Sequence, residues 1–115
     1  MTESLSVAVD RRGHLAVIYM EGYINNQGGE EIARAAYKLI DEGFRVLLLN
    51  LGGTKIVNSI GISILIEIIE KMIELRGKLA FCCLTPTIKK TFQIMGLSQY
   101  AAIYTDEASA VAGLG

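Results

Sequence analysis

The feature that most constrains the fold is an aliphatic run at residues 44–51, followed by a short turn and a long apolar helix. Residues 46–49 are all Val or Leu, without the alternation of a half-buried strand. Such a run is typical of a strand with both faces covered in a mostly parallel sheet. The Gly-Gly-Thr segment at 52–54 is predicted to break this strand. The run therefore predicts a central buried strand that leads into a helix.

The turn after this strand carries two residues that commonly cap helices, Asn58 and Ser59. Their side-chain oxygens can accept the free N–H groups of a first helical turn, so a helix is predicted over 60–76, with Gly77 ending it. Ten of the sixteen residues from Ile60 to Leu75 are Ile, Leu or Met, more than a sheet-facing stripe requires. We therefore expect the first turn, Ile60 and Ile62 above all, to contribute an exposed partner surface.

Strand and helix patterns alternate along the chain in the order β-β-α-β-α-β-α-β-α. This order predicts an α/β fold, a mixed and mostly parallel β-sheet with an N-terminal hairpin and about four helices. One domain is expected over 1–115, with an ordered core at about 4–112. The predicted elements are a hairpin at 4–21, a loop at 21–29, strands at 44–51, 78–84 and 101–104, and helices from 27 or 28 to 42, at 60–76, from Thr85-Pro86 to Met95, and at 107–112.

Charge and hydropathy argue against two classes of function. The net charge is −1 and no basic run exceeds a pair, so nucleic-acid binding has no electrostatic basis. No apolar stretch approaches the ~20 residues that cross a bilayer, and the first residues show no signal-peptide pattern. We therefore expect a cytoplasmic protein without membrane insertion.

Two adjacent cysteines, Cys82 and Cys83, fall in a predicted strand. Neighbouring residues cannot form an ordinary disulfide without severe strain, and strand alternation would point them to opposite faces. The pattern favours two small apolar residues of a buried strand, with a redox pair as the alternative.

No set of residues shows the pattern of an enzyme active site. The only histidine, His14, falls in the predicted hairpin turn, where nothing places it beside a nucleophile. One histidine and a vicinal cysteine pair lack metal-ligand spacing, so no metal or other cofactor is expected. Glu67, Glu70 and Glu74 are predicted to form a solvated stripe, with Glu67 and Lys71 as an ion pair.

Ser59 is the residue whose position best suits signalling chemistry. As an N-cap it would stabilise the helix by ~1 kcal/mol. A phosphate on the same hydroxyl would bring nearly two negative charges to the positive end of the helix, where free N–H groups can receive it. The fold would persist while a docking surface changes, as a binding switch requires. Position alone leaves both roles open.

The whole chain, over about residues 4–112, resembles the STAS domain of bacterial anti-sigma factor antagonists. The resemblance rests on an ordered set of short segments rather than on one motif. These segments are Glu21–Asn25, Leu49–Leu51, the Asn58–Gly61 turn, Arg76–Leu79 and Thr85 to Leu97.

The resemblance implies that Ser59 is the phosphoacceptor of a binding switch. In this family the unphosphorylated protein binds an anti-sigma factor that is also a serine kinase, phosphorylation breaks the complex, and a phosphatase restores it. This chain has Asn58 and Asn25 where the family usually has Asp, and Ile60 where it has Ser or Thr. We expect a monomer or weak dimer without enzymatic activity. The residues expected to form the switch turn and bind the partner, together with loop 22–29, are Asn25, Asn58, Ser59, Ile60, Gly61 and Ile62.

Two other functions stay open at this point. A STAS module can serve another assembly, as a stress-signalling scaffold or as the soluble subunit of a transport complex, without phosphorylation of Ser59. A small enzyme or nucleotide-binding domain is the third hypothesis, against which the lack of a phosphate loop and of a nucleophile–base pair counts.

Overall fold

The computed structural model describes residues 6–115, which form a five-stranded sheet with helices on both faces. The strands are β1 Ser6–Arg12, β2 Leu15–Ile24, β3 Val46–Val57, β4 Lys78–Cys82 and β5 Ala102–Tyr104. The helices are α1 Asn26–Asp41, α2 Ser59–Glu74, α3 Pro86–Ile94 and α4 Glu107–Leu114, with a short 3-10 helix at Leu97–Gln99. This order of elements confirms the predicted α/β class. Residues 4 and 5 of the predicted hairpin and core lie outside the described residues.

The strands lie in the order β1-β2-β3-β4-β5, with β1 antiparallel to β2 and every other neighbouring pair parallel. The larger apolar core lies between the sheet and α1, α2 and α3, and a smaller cluster lies under α4. Leu47 and Leu49 of β3 belong to the larger core, whereas Leu48 belongs to the smaller cluster. The central strand is therefore buried on both faces, as its unbroken aliphatic run predicts.

The predicted break at the glycine pair is wrong, because β3 continues through Gly52 and Gly53 to Val57. β2 is also longer than predicted and pairs with this extension, with shifts in register along it. A Cβ on Gly53 would lie 2.9 Å from the Met20 carbonyl oxygen. Glycine here permits close approach of two strands at an irregularity of the pairing and does not end the strand. Most of the predicted loop at 21–29 is accordingly strand or helix.

Local signals place the start of α3 correctly but not the end of α2. Thr85 caps α3, where its Oγ1 accepts the Ile88 N–H at 3.2 Å, and Pro86 is the first helical residue. After α2, Arg76 and not Gly77 adopts the left-handed backbone, with φ of 60°. A Cβ on Gly77 would lie 2.5 Å from the Arg45 carbonyl oxygen, so glycine at this position makes room for a neighbouring chain segment.

The two cysteines are not consecutive positions of a buried strand. Cys82 ends β4 and is fully buried, whereas Cys83 follows the strand, is half-buried and has φ of 65°. Both are free thiols, and both pack into the apolar cluster under α4. The left-handed backbone at Cys83 interrupts strand alternation, so both side chains reach the same face of the sheet.

Candidate functional site

The candidate site lies where two neighbouring parallel strands end and two helices begin. The last residues of β2 and β3 pair with each other. Asn25 follows β2 and caps α1, and Asn58 follows β3 and caps α2. Asn25 Oδ1 accepts the Gly28 N–H at 2.9 Å, and Asn58 Oδ1 accepts the Gly61 N–H at 2.8 Å. The N-termini of α1 and α2 are therefore held side by side at one edge of the sheet.

Two glycines allow these helix starts to approach the sheet and each other. A Cβ on Gly61 would lie 2.3 Å from the Ile24 carbonyl oxygen, which also accepts the Asn58 N–H at 3.0 Å. A Cβ on Gly29 would lie 2.7 Å from Ile64 Cδ1. A larger side chain at either glycine would displace one helix start, so Gly61 has a packing role at this site.

Ser59 is the first residue of α2, and Asn58 alone caps the helix. Of the two roles that the sequence leaves open for Ser59, capping is excluded, because the cap position is already filled by the residue before it. The Ser59 carbonyl accepts the Ser63 hydroxyl at 3.0 Å, while the Ser59 hydroxyl makes no hydrogen bond to any of residues 6–115. Ser59 is exposed. Its hydroxyl is thus available for modification and is not required by the helix.

Exposed isoleucines lie on both sides of Ser59 in the sequence. Ile56 at the end of β3 and Ile60 in the first turn of α2 each expose 54% of their surface. The expectation that Ile62 is exposed is wrong: it is 3% exposed and packs into the main core. Gly61 is also buried. The exposed part of the predicted turn is therefore Ser59 and Ile60, joined by Ile56, which the prediction did not include.

The charge distribution at the two helix starts favours an anion. Neither α1 nor α2 has an acidic side chain in its first turn, so no carboxylate there offsets the positive ends of the helix dipoles. Asn25 and Asn58 accept the same cap hydrogen bonds that Asp would accept, but carry no charge. A phosphate on Ser59 would therefore meet the N-terminal end of α2 without repulsion from either cap.

The other residues that could carry chemistry do not join this site. His14 lies in the exposed hairpin turn. Within residues 6–115, no group of three or more His, Cys, Asp or Glu side chains is arranged to hold a metal ion. The stripe of Glu67, Glu70 and Glu74 is exposed, as predicted. Lys71, however, pairs with Glu74 at 3.0 Å and not with Glu67, because residues three apart also face each other on a helix.

Sequence reasoning missed a polar cluster on the opposite face of the sheet, centred on Glu107 at the start of α4. The Glu107 carboxylate accepts hydrogen bonds from Arg12 Nη2 at 2.6 Å, Asn50 Nδ2 at 2.9 Å and the Tyr19 hydroxyl at 3.0 Å. These partners come from β1, β3 and β2, so no local pattern connects them. The one available signal was Asn50, the polar residue in the aliphatic run 46–51, which required a hydrogen-bond partner.

The hydrogen bonds in this cluster determine its protonation. Burial raises the pKa of the Glu107 carboxyl, but the hydrogen bonds from Asn50, Arg12 and Tyr19 lower it by more, so the pKa lies below its ordinary value. Burial and the Glu107 carboxylate raise the pKa of Tyr19. Hydrogen bonds to Asp10 and Glu107 raise the pKa of Arg12. At neutral pH the cluster therefore pairs an ionised Glu107 with protonated partners.

A family model of the STAS domain matches residues 6–110, and the chain therefore belongs to the STAS domain family. It is 24% identical over 109 residues to a Bordetella bronchiseptica protein with the provisional name anti-sigma factor antagonist BtrV, and the match covers 94% of each chain. In the part of the chain that the structure describes, none of the helices is long and apolar enough to cross a membrane.

Two solved structures show the same fold. The crystal structure of an anti-sigma factor antagonist from Mycobacterium paratuberculosis matches with a TM-score of 0.85 and 18% identity, covering 96% of this chain and 94% of that one. The Bacillus cell fate determinant SpoIIAA, in its phosphorylated form, matches with a TM-score of 0.74 and 19% identity, covering 96% of this chain and 100% of that one.

Proposed function

We propose that this chain is an anti-sigma factor antagonist, a non-enzymatic binding switch that works in the cytoplasm. In its unphosphorylated form it binds an anti-sigma factor that is also a serine kinase. Phosphorylation of Ser59 releases that partner, and a phosphatase reverses the modification. Membership in the STAS family and the names of its relatives support the class of protein.

The observation that carries the mechanism is the position of Ser59. Its hydroxyl is exposed at the start of α2, and the helix does not depend on it because Asn58 provides the cap. Ile56 and Ile60 expose apolar surface beside it in the sequence. A partner that covers Ile60, the next residue of the same helical turn, would also cover Ser59, so a change at the hydroxyl acts directly on the interface.

A phosphate on Ser59 would change the interface without unfolding the domain. It would add close to two negative charges at the positive end of α2, a location that stabilises anions. The partner would then have to bury that charge next to the isoleucines, and burying an unpaired charge is strongly unfavourable. Loss of binding with retention of the fold is the behaviour of a switch.

The neutral caps are proposed to set the rate of the switch. Phosphoryl transfer depends on positioning of the acceptor hydroxyl and on charge placement around the metal-bound nucleotide. An Asp at position 58 could orient the hydroxyl or help the kinase hold its Mg²⁺-nucleotide, whereas Asn58 keeps the shape but not the charge. We therefore expect slow phosphorylation of Ser59, and faster phosphorylation in Asn58→Asp.

The test is incorporation of labelled phosphate by the partner kinase, captured with this chain from its native cells and then purified. Wild type should incorporate phosphate slowly, Asn58→Asp about tenfold or more faster, equivalent to at least ~1.4 kcal/mol in the barrier. Ser59→Ala should incorporate none. Ser63→Ala, which removes an exposed serine one turn later, should match wild type.

Each contrary outcome has a distinct meaning. Incorporation that persists in Ser59→Ala would remove Ser59 as the acceptor. No incorporation even in Asn58→Asp would mean that the chain binds its partner without a switch at this site. Capture of transporter subunits in place of an ATPase-fold kinase would assign the domain to another assembly.

A further inference from the structure

The sheet face opposite α1 and α2 is covered by one short helix. α4 spans only Glu107–Leu114, and of its side chains Ala110 and Leu114 are buried. Val111 packs against the same cluster in part, so α4 contacts the sheet through few apolar side chains.

Polar contacts at the first residue of α4 compensate for this small apolar contact. Glu107 receives hydrogen bonds from side chains of three different strands, including a charge-assisted bond from Arg12 at 2.6 Å. Charge-assisted bonds are roughly twice as strong as neutral ones. The Glu107 side chain is 25% exposed, so water can reach the cluster and replace these bonds when α4 lifts. The carboxylate thus fastens one end of the helix across β1, β2 and β3.

We propose that α4 is a strap, fastened by Glu107, that opens while the rest of the domain stays folded and so uncovers the sheet face beneath it. The buried strand residues of that face are all apolar: Leu15, Val17, Leu48, Ala80 and Cys82. Opening would expose these side chains to solvent on the side of the sheet away from Ser59.

A thiol placed under the strap reports directly on its opening. Cys82 has no exposed surface and packs in the same cluster as Ala110 and Leu114. Burial raises the pKa of the Cys82 thiol, so in the closed state it is both covered and protonated. When α4 lifts, Cys82 can react with a maleimide: the thiolate adds to the ring double bond, one S–C bond forms, and a proton ends on the neighbouring ring carbon.

The experiment measures the maleimide labelling rate of Cys82 in native buffer, in a Cys83→Ser background where Cys82 is the only thiol. The unfolded fraction from urea denaturation, multiplied by the labelling rate of the fully unfolded chain, gives the rate expected if Cys82 reacted only from the unfolded state. If α4 opens alone, native labelling is faster than that limit. Glu107→Gln should raise the labelling rate by roughly tenfold, since it removes a charge-assisted hydrogen bond. Tyr19→Phe, which removes one hydroxyl donor, should raise it by a smaller factor.

The matched control is Glu42→Gln. Glu42 is the C-cap of α1, on the other face of the sheet, and makes an ion pair with Arg11 at 2.7 Å, so the same substitution should leave Cys82 labelling unchanged. Labelling no faster than global unfolding allows would overturn the proposal. So would equal acceleration by Glu107→Gln and Glu42→Gln, because Cys82 would then report general destabilisation.

Discussion

Asn25 and Asn58 cap two adjacent helices from equivalent positions. The residues just before them, Ile24 and Val57, end two neighbouring parallel strands and pair with each other. Each asparagine side chain accepts the N–H of the glycine three residues later, at 2.9 and 2.8 Å. This symmetry places two helix N-termini side by side and leaves Ser59 as the first residue after one of the caps. The two asparagines cap the helices, so the Ser59 hydroxyl is not needed as a cap and is available for modification.

Because Asn58 caps α2 and Ser59 does not, alanine substitutions at these two residues should change the free energy of unfolding by different amounts. Asn58→Ala should lower the free energy of unfolding by about 1 kcal/mol, because the Gly61 N–H loses its acceptor. Ser59→Ala should change it by less than about 0.5 kcal/mol, since the hydroxyl caps nothing. Urea denaturation of both variants measures the difference. A larger loss for Ser59→Ala than for Asn58→Ala would mean that Ser59 supports the helix after all.

The exposed isoleucines of α2 offer a matched test of the partner surface. Ile60 exposes 54% and Ile73 exposes 52%, near opposite ends of the same helix. Ile60→Ala should weaken binding of the partner kinase roughly tenfold, about 1.4 kcal/mol, whereas Ile73→Ala should have little effect. Isothermal titration calorimetry gives both dissociation constants. Weaker binding in Ile73→Ala and not in Ile60→Ala would move the interface to the far end of α2.

Ionised Glu107 should stabilise the fold, and protonation of its carboxylate in acid should remove this stabilisation. The pKa of Glu107 is lower in the folded state, so the unfolded chain binds a proton more readily. The stabilisation is therefore complete above the ordinary carboxyl pKa of about 4.3 and is lost as the pH falls through the lower folded value. Asp106, which caps α4, contributes to stability in the same direction, because its hydrogen bonds with Ser109 lower the pKa of its carboxyl.

Unfolding free energies measured between pH 6 and pH 3 provide the check. Wild type should lose stability over the acid part of this range, and Glu107→Gln should lose less because it has one fewer linked carboxylate. Parallel pH profiles for the two proteins would show that Glu107 makes no such contribution.

Sequence reasoning succeeded where one short segment contains the physical cause. Thr85 is a capping residue and Pro86 suits the first helical position, so the start of α3 can be predicted from these two residues alone. The run at 46–49 has no polar residue that could face water, which predicts burial on both faces. The glycine pair at 52 and 53 does not end the strand, and the sequence could not show this because the role of Gly53 depends on Met20 and Glu21 in another strand. Ile62 was misassigned because helical periodicity shows that a helix has excess apolar residues but not which of them face the sheet.

The candidate site divides in the same way. Asn58 and Ser59 both have capping side chains, and only the backbone at the start of α2 decides which of them is the cap. Glu107 could not be found at all, since its partners are up to 95 residues away in the sequence. Residue types therefore identified the turn, but the relative position of the strands was needed to assign roles within it.

Negative charge at Ser59 is predicted to release the partner. The most direct measurement is the dissociation constant of the purified partner kinase for wild type, Ser59→Asp, Ser59→Asn and Ser59→Ala, with circular dichroism to confirm that each variant is folded. An Asp in the first helical turn favours the helix, and Asn has the same shape without the charge, so the Asp–Asn comparison isolates charge. Ser59→Ala and Ser59→Asn should bind within about threefold of wild type, and Ser59→Asp should bind at least roughly tenfold more weakly, a difference of about 1.4 kcal/mol. Equal affinity of Ser59→Asp and wild type would show that negative charge at this position does not release the partner.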